Sequence, residues 1–368
     1  MALLLIILVA AAGVWTMPEW GRDKEFDDEM AISNSQVLLN TGFDFGRMFF
    51  RSRQRPAFVF FVMPVVAMFP NDDLVFEGRS PSDFGKRVWQ VYWREGRKVF
   101  PEISQLMMAV FLASFVGLFF VFRHFTRETA LSGLMTLLTL YFLRDVPSAA
   151  VLTQSFGLFV HVAVALSFLM WVETPTPGRL ALSAMAVSVG VLTKEDIIVS
   201  LAAVLAYQAY LVLRNSPVLR QFIAYWLVAA VLPLAWYTFV LDGLASEIIG
   251  LYQEHIDTQA LMGYPGTTWS MGISYMKSLY WPVFPIVVPL AVAYLCMSRF
   301  SRLALQLPHR SGAGALFFTA LALAQTSAFT MPYTFPRLLV YYAPAFGYFA
   351  IASTALCFAL LSRPLQRL

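Results

Sequence analysis

Long apolar runs are the feature that most constrains this chain. Hydrophobic residues make up 59% of its 368 residues, and charged residues only 13%. About 20 consecutive apolar residues cross the hydrocarbon core of a bilayer as a helix, because a helix pairs its own backbone polar groups. Ten runs occur, at 1–16, 105–122, 130–143, 149–171, 180–193, 196–213, 221–241, 281–297, 314–330 and 338–361. The sequence therefore predicts an all-α polytopic membrane protein of about ten transmembrane helices, with residues 1–368 forming one integral membrane domain.

Some apolar stretches are too short to be ordinary spans. At 1.5 Å per residue, the runs 130–143 and 180–193 reach only about 21 Å, against roughly 30 Å of hydrocarbon. We expect these two helices to extend into neighbouring polar residues or to lie inside the bundle. The further stretch from Ala57 to Phe69 is interrupted by Pro64. It is more typical of an interfacial or re-entrant helix than of a span.

Basic residues in the short loops indicate the orientation, because Lys and Arg accumulate on the cytoplasmic side. With the N-terminus inside, the cytoplasmic set is Arg123, Arg127, Arg179, Arg214, Arg220, Arg299, Arg302, Arg310, Arg363 and Arg367. The opposite short loops hold Arg144, Lys194, Lys277 and Arg337. Ten against four places both termini in the cytoplasm and two long loops, 17–104 and 242–280, outside. The first loop is expected to carry juxtamembrane helices.

The two ends of the chain leave one alternative open. Residues 1–16 are short and rich in alanine, which also fits a cleaved signal peptide, although no basic residue precedes the apolar stretch. The first loop faces outside in either case. The chain stops soon after the run 338–361, so we expect no soluble C-terminal domain.

Composition and motifs exclude several classes of function. The only cysteines, Cys296 and Cys357, both lie in apolar runs, so a cysteine metal cluster is excluded. We find no internal repeat and no glycine-rich phosphate loop, and nothing in the charge pattern indicates nucleic-acid binding.

Acidic residues near the membrane are the first candidates for chemistry. Asp27, Asp28 and Glu29 follow the first apolar run by about a dozen residues. A carboxylate near hydrocarbon is costly unless water, a cation or a substrate compensates it. The alternative is a solvated acidic loop without chemical role.

Basic residues on the outer side are the second group of candidates, because positive charge there opposes the topology. Arg55, Lys194 and Arg337 are expected at the outer surface, at the depth of a lipid headgroup, where they can hold a phosphate. For each residue alone, a cation that snorkels from a helix end is an alternative. Taken together, the three favour an anion site.

The order of these short motifs resembles the GT-C glycosyltransferases. The similarity is to the polyprenyl-phosphate-sugar-dependent group that includes protein O-mannosyltransferases and lipid A aminoarabinose transferases. Asp28 and Glu29 look like the family's acidic pair, and Thr41-Gly42-Phe43-Asp44 looks like the turn that ends its first loop helix. Gln54-Arg55-Pro56-Ala57, Thr193-Lys194-Glu195 and Arg337-Leu338-Leu339 look like three later family elements.

The resemblance implies a role for each matched residue. Asp28 would be the general base, with Asp27 as the alternative in register. Lys194 and Arg337, with Arg55, would hold the lipid phosphate. Two family carboxylates are amides here, Gln54 and Gln154. A different acceptor or a weakened site are the two explanations.

The implied reaction is inverting transfer of a sugar from a polyprenyl-phosphate donor to an acceptor, which is a glycan, a lipid or a protein. The implied place is the periplasmic face of a bacterial inner membrane, among membrane lipids. The sequence indicates no specific cofactor. A divalent cation stays open, since His255 lies near Glu254 and Asp257 as a ligand or acceptor contact, although a surface histidine is the alternative.

Two other functions stay open from the sequence. One is a non-catalytic membrane subunit of a larger complex, which Gln54 and Gln154 motivate. The other is a transporter of a lipid-linked or anionic solute that uses the outer cations as its entry site.

Overall fold

Helices form all the regular structure of the residues described in this computed structural model. The described residues are 26–48, 56–70, 99–127, 129–144, 152–193, 197–214, 218–240 and Phe317, and no strand occurs among them. The α-helices are α1 (Phe26–Asn40), α2 (Pro56–Val66), α3 (Phe100–Thr126), α4 (Thr129–Arg144), α5 (Leu152–Glu173), α6 (Pro177–Val191), α7 (Ile198–Arg214) and α8 (Val218–Phe239). A 3-10 turn, Phe45–Arg47, lies between α1 and α2.

Six of the ten predicted spans coincide with helices α3 to α8. Three helices are long and apolar enough to cross a membrane, at Glu102–Thr126, Ser155–Glu173 and Leu219–Phe239. The chain is thus a helical protein of membrane type. The predicted spans 1–16, 281–297 and 338–361 and the loop 242–280 lie outside the described residues. Of 314–330 only Phe317 is described, and its ring packs 5.4 Å from that of Phe125 at the end of α3.

The two short runs remain short helices. Helix α4 has 16 residues and α6 has 15, so neither gains the length to reach ~30 Å at 1.5 Å per residue. Local signals set the limits of α6, since the Thr176 hydroxyl accepts from the Arg179 N–H and Pro177 follows the cap. One face of α6 is buried through small residues such as Ser183, Ala184 and Ser188.

Helices α3, α5 and α7 run in the same direction, because contacts between them keep a nearly constant offset along the chain. The contacting pairs are Gly117 with Val162, Arg127 with Glu173, His161 with Ser200, and Phe168 with Tyr207. The glycine permits the closest approach, since a Cβ on Gly117 would lie 2.6 Å from the Val162 side chain. At Gly117 the backbone of α3 therefore lies against the Val162 side chain of α5.

Helices α6 and α8 run the opposite way. Gly190 faces Val160, whereas Arg179, at the other end of α6, donates to the Met170 carbonyl at 2.8 Å. Helix α8 runs parallel to α6. The Ser183 hydroxyl donates to the Tyr225 hydroxyl at 3.2 Å, and the Ser188 hydroxyl donates to the Ala229 carbonyl at 2.8 Å.

These directions give the bundle an arginine end, defined by Arg123, Arg127 and Arg179. There the Glu173 carboxylate accepts from Arg127 at 2.8 Å and lies 2.9 Å from Nδ1 of His124. The predicted cytoplasmic residues of helices α3, α6 and α8 thus share one end. This matches the alternation expected from the sequence, although the side of the membrane stays a prediction.

The first loop contributes buried helices. Residues 31–38 of α1 are all buried, including the polar stretch from Ser33 to Gln36. The Ser35 hydroxyl donates to the carbonyls of Ala31 at 3.0 Å and Val59 at 2.7 Å, so it ties α1 to α2. Residues 31–38 therefore belong to the interior of the described structure. Helix α2 contains Pro64, as the sequence indicated. The face of α2 that does not bear Pro64 is buried against the core.

Candidate functional site

Four segments meet at the end of the bundle away from the arginines: the 3-10 turn after α1, helix α2, the residue after α6, and helix α8. We define this outer corner by Phe45, Ala57, Phe60, Leu192 and Trp236, which pack together. The Phe45 ring centroid lies 5.2 Å from that of Trp236 and 6.2 Å from that of Phe60, both edge to face. Phe60 and Trp236 are 5.7 Å apart in the same arrangement. Edge-to-face geometry is favourable because ring edges are positive and ring faces negative.

A backbone hydrogen bond joins two of these segments directly. The Ala57 N–H, in the first turn of α2, donates to the Leu192 carbonyl at 3.1 Å. Backbone N–H groups of a first helical turn have no partner within their own helix. Leu192 follows α6, so the bond fixes the start of α2 against the end of α6.

This bond is relevant to Arg55 and Lys194, which lie outside the described residues. Arg55 precedes Ala57 by two residues, and Lys194 follows Leu192 by two. Two residues of chain span at most about 7 Å. The described residues Ala57 and Leu192 are thus in contact, and the convergence of Arg55 with Lys194 stays a prediction.

The acidic cluster lies on α1. Asp27, Asp28 and Glu29 fall in the first turn of the helix Phe26–Asn40, and that helix ends at the Thr41–Asp44 turn, as the resemblance implied. Ser35, which contacts Val59, is seven residues beyond Asp28, or about 10 Å along the helix axis. Nothing is described of the three acidic side chains. Their backbone begins about two turns from the contact with α2.

The remaining predicted residues divide into two groups. Arg337 and His255 lie outside the described residues, so their convergence with Lys194 stays a prediction. His161, in helix α5, is buried, and its Nδ1 lies 2.7 Å from the Ser200 hydroxyl. Within the described ranges no three His, Cys, Asp or Glu residues form a metal-binding group.

The turn after α1 holds two residues to which sequence reasoning assigned no role. Asp44 accepts from the Gly46 N–H at 3.0 Å through Oδ1 and from Arg47 Nε at 3.1 Å through Oδ2. Phe43 has φ +66° and is 50% exposed. The signal was present in the Thr-Gly-Phe-Asp motif, where an aromatic residue takes the place after glycine. Both side chains are adjacent in sequence to Phe45 of the outer corner.

A further unassigned carboxylate belongs to Glu102, in the first turn of α3. Its Oε2 is buried and has no hydrogen-bond partner among the described residues. Helix α3 runs toward the arginine end, so Glu102 lies at the same end of the bundle as the outer corner. A buried carboxylate oxygen without a partner is costly, which marks this position as a second acidic candidate.

No family model, curated protein or solved structure matches this chain. The arrangement of the outer corner is therefore the physical basis for assigning a function. Its described features are the packed aromatic rings of Phe45, Phe60 and Trp236 and the backbone hydrogen bond from Ala57 to Leu192.

Proposed function

We propose that this protein is a membrane glycosyltransferase of the GT-C type, which transfers a sugar from a polyprenyl-phosphate donor to an acceptor at the extracytoplasmic face. The single observation that supports the proposal most is the Ala57–Leu192 hydrogen bond. It joins Ala57 and Leu192, which are far apart in sequence and each two residues from a predicted phosphate-binding cation, Arg55 and Lys194. A cation pair at the end of a bundle is suited to a lipid phosphate, whose tail lies between helices while its headgroup remains at the surface.

In the proposed reaction, the acceptor hydroxyl gives its proton to the Asp28 carboxylate as its oxygen attacks the anomeric carbon. The bond between that carbon and the phosphate oxygen breaks, and polyprenyl phosphate leaves with the bonding electrons. Lys194, Arg337 and Arg55 would stabilise the negative charge that grows on the departing phosphate. A positioned general base contributes roughly 10² to 10⁴ in rate. The phosphate-binding cations also orient the donor before reaction.

The test is transfer by the purified protein in proteoliposomes. Radiolabelled polyprenyl-phosphate sugars are supplied with membrane extract as the acceptor source, and both labelled product and released polyprenyl phosphate are measured. Asp28→Asn is expected to reduce transfer by about 10²-fold or more. The matched control is Asp72→Asn, an acidic residue of the same loop, which should transfer normally. Normal transfer by Asp28→Asn would remove the general-base role.

The cations are tested in the same assay. Arg55→Ala should raise the donor concentration needed for half-maximal transfer, because a charge-assisted contact with phosphate is lost. Arg53→Ala, two residues earlier, is the matched control. Lys194→Arg should not restore full activity, since a planar guanidinium does not replace a compact ammonium.

A non-catalytic subunit is the second candidate, and Gln54 and Gln154 favour it because they stand where the family has carboxylates. Absence of transfer with every donor, together with stable association with another membrane protein, would support it. Movement of intact donor across the bilayer without transfer would instead support a transporter.

A further inference from the structure

The turn after α1 holds a phenylalanine in a backbone conformation that bulky residues rarely adopt. Gly42 has φ +64° and Phe43 has φ +66°, so two consecutive residues are left-handed. Glycine adopts this conformation freely, whereas a Cβ makes it unfavourable. The Phe43 N–H donates to the Leu38 carbonyl at 2.8 Å, which fixes the turn to the end of α1. The hydrogen bond needs only a backbone N–H, so it does not explain an aromatic side chain at this position.

Among the described residues, packing does not explain the phenylalanine either. Its ring is 50% exposed, and Phe43 belongs neither to the outer corner nor to the main buried hydrophobic cluster of the described helices. The aromatic residue that packs into the outer corner is Phe45, against Phe60 and Trp236. An exposed aromatic ring in a strained backbone is characteristic of a functional position.

The neighbouring carboxylate completes a recognisable pair. Asp44 is 49% exposed and is held by Gly46 and Arg47, one hydrogen bond to each oxygen. An ionised carboxylate accepts about four hydrogen bonds, so capacity for two more remains. An exposed aromatic ring next in sequence to a fixed acceptor suits a pyranose ring, which presents C–H groups on its faces and hydroxyl donors at its edge.

We propose that Phe43 and Asp44 bind the pyranose ring of a sugar at the outer corner, with Phe43 stacking on the ring and Asp44 accepting from its hydroxyls. The inference rests on the proposed function, which places a sugar at this corner. The pyranose ring belongs either to the lipid-linked donor or to a glycan acceptor. Phe43 and Asp44 contact the sugar, while Arg55 and Lys194 contact the phosphate. The sugar and the phosphate therefore have separate binding determinants.

The experiment measures ligand-induced thermal shifts of the full chain in detergent. The probes are undecaprenyl phosphate, the same lipid carrying mannose, glucose or arabinose, and the free methyl glycosides of these sugars. A ligand raises the melting temperature according to its affinity for the folded state. We expect the wild type to bind at least one sugar-bearing probe better than its sugarless counterpart.

The informative variant is Phe43→Gly, which removes the ring and also relieves the backbone strain. Its own melting temperature should stay equal or rise, yet its affinity for the sugar-bearing probe should fall about tenfold. Its affinity for undecaprenyl phosphate should not change. Phe43→Trp should retain sugar binding. The matched control is Phe69→Ala, because Phe69 is 43% exposed at the end of α2 and is assigned no role.

Two results would overturn the inference. One is a wild type that gains nothing from any sugar. The other is Phe43→Gly losing affinity equally for sugar-bearing and sugarless lipid, which would make Phe43 a membrane anchor. Preference for the lipid-linked sugar would show that the bound pyranose ring belongs to the donor. Preference for a methyl glycoside would show that it belongs to the acceptor. Sugar binding without any transfer would retain this inference while removing the proposed function.

Discussion

The close approach of α3 and α5 at Gly117 can be tested by adding one methyl group. An alanine Cβ there would lie 2.6 Å from Cγ1 of Val162 and 3.7 Å from Cδ2 of Leu166. Carbon atoms in contact are about 3.5 to 4.0 Å apart, so the helices must separate by about 1 Å or Val162 must leave its rotamer. Overpacking of this kind costs about 1 to 3 kcal/mol. The higher helix propensity of alanine relative to glycine offsets up to about 1 kcal/mol of this cost. We expect Gly117→Ala to reduce the free energy of unfolding by up to about 2 kcal/mol.

The measurement is thermal unfolding in detergent, followed by tryptophan fluorescence. Gly178→Ala is the matched control, because a Cβ at Gly178 in α6 meets nothing within 4 Å. That variant should be as stable as the wild type or more so. In a Val162→Ala background, which lacks Cγ1, Gly117→Ala should lose most of its penalty. The reasoning is refuted if Gly117→Ala matches Gly178→Ala, or if the background makes no difference.

Two further predictions concern packing and topology. Ser188→Ala removes the hydroxyl that donates to Ala229 of α8, so it should destabilise by about 0.6 kcal/mol, more than Ser167→Ala, whose hydroxyl bonds within its own helix; equal unfolding temperatures would contradict this. In a chain with Cys296 and Cys357 replaced, a cysteine at Ser82 should react with an impermeant thiol reagent from outside, and one at Ser216 only after permeabilisation, because of the basic residues on that side. Labelling in the reverse pattern would invert the topology and remove the proposed site.

The helices of the bundle were largely predictable from the sequence. Hydropathy placed a span at 105–122 where the structure has Phe100–Thr126, and one at 221–241 where it has Val218–Phe239. The differences are at the ends, since hydropathy does not register capping. Helix α3 begins at Phe100 with Pro101 in its first turn, and Arg127 caps its end in a left-handed conformation. These polar or proline residues lie beyond the apolar run.

The candidate site was only partly predictable. The acidic start of α1 and its final turn were recognisable as motifs, because they are local in sequence. The role of the turn itself was missed, since the sequence does not show that Phe43 is left-handed and exposed while Phe45 packs inward. That difference depends on where Phe60 and Trp236 lie.

By itself, the sequence determined the class of the protein, because burying apolar runs in a bilayer requires helices regardless of their partners. The succession of spans joined by short loops also predicted the alternating directions that helices α5, α6, α7 and α8 adopt, whereas the orientation that the basic residues indicate stays a prediction. Tertiary structure alone decided which distant segments meet. Burial of the polar residues Ser33–Gln36 depends on partners such as Val59, and the outer corner depends on the bond from Ala57 to Leu192. Hydropathy carries no information about such pairs, because the partner of a polar group lies elsewhere in the chain.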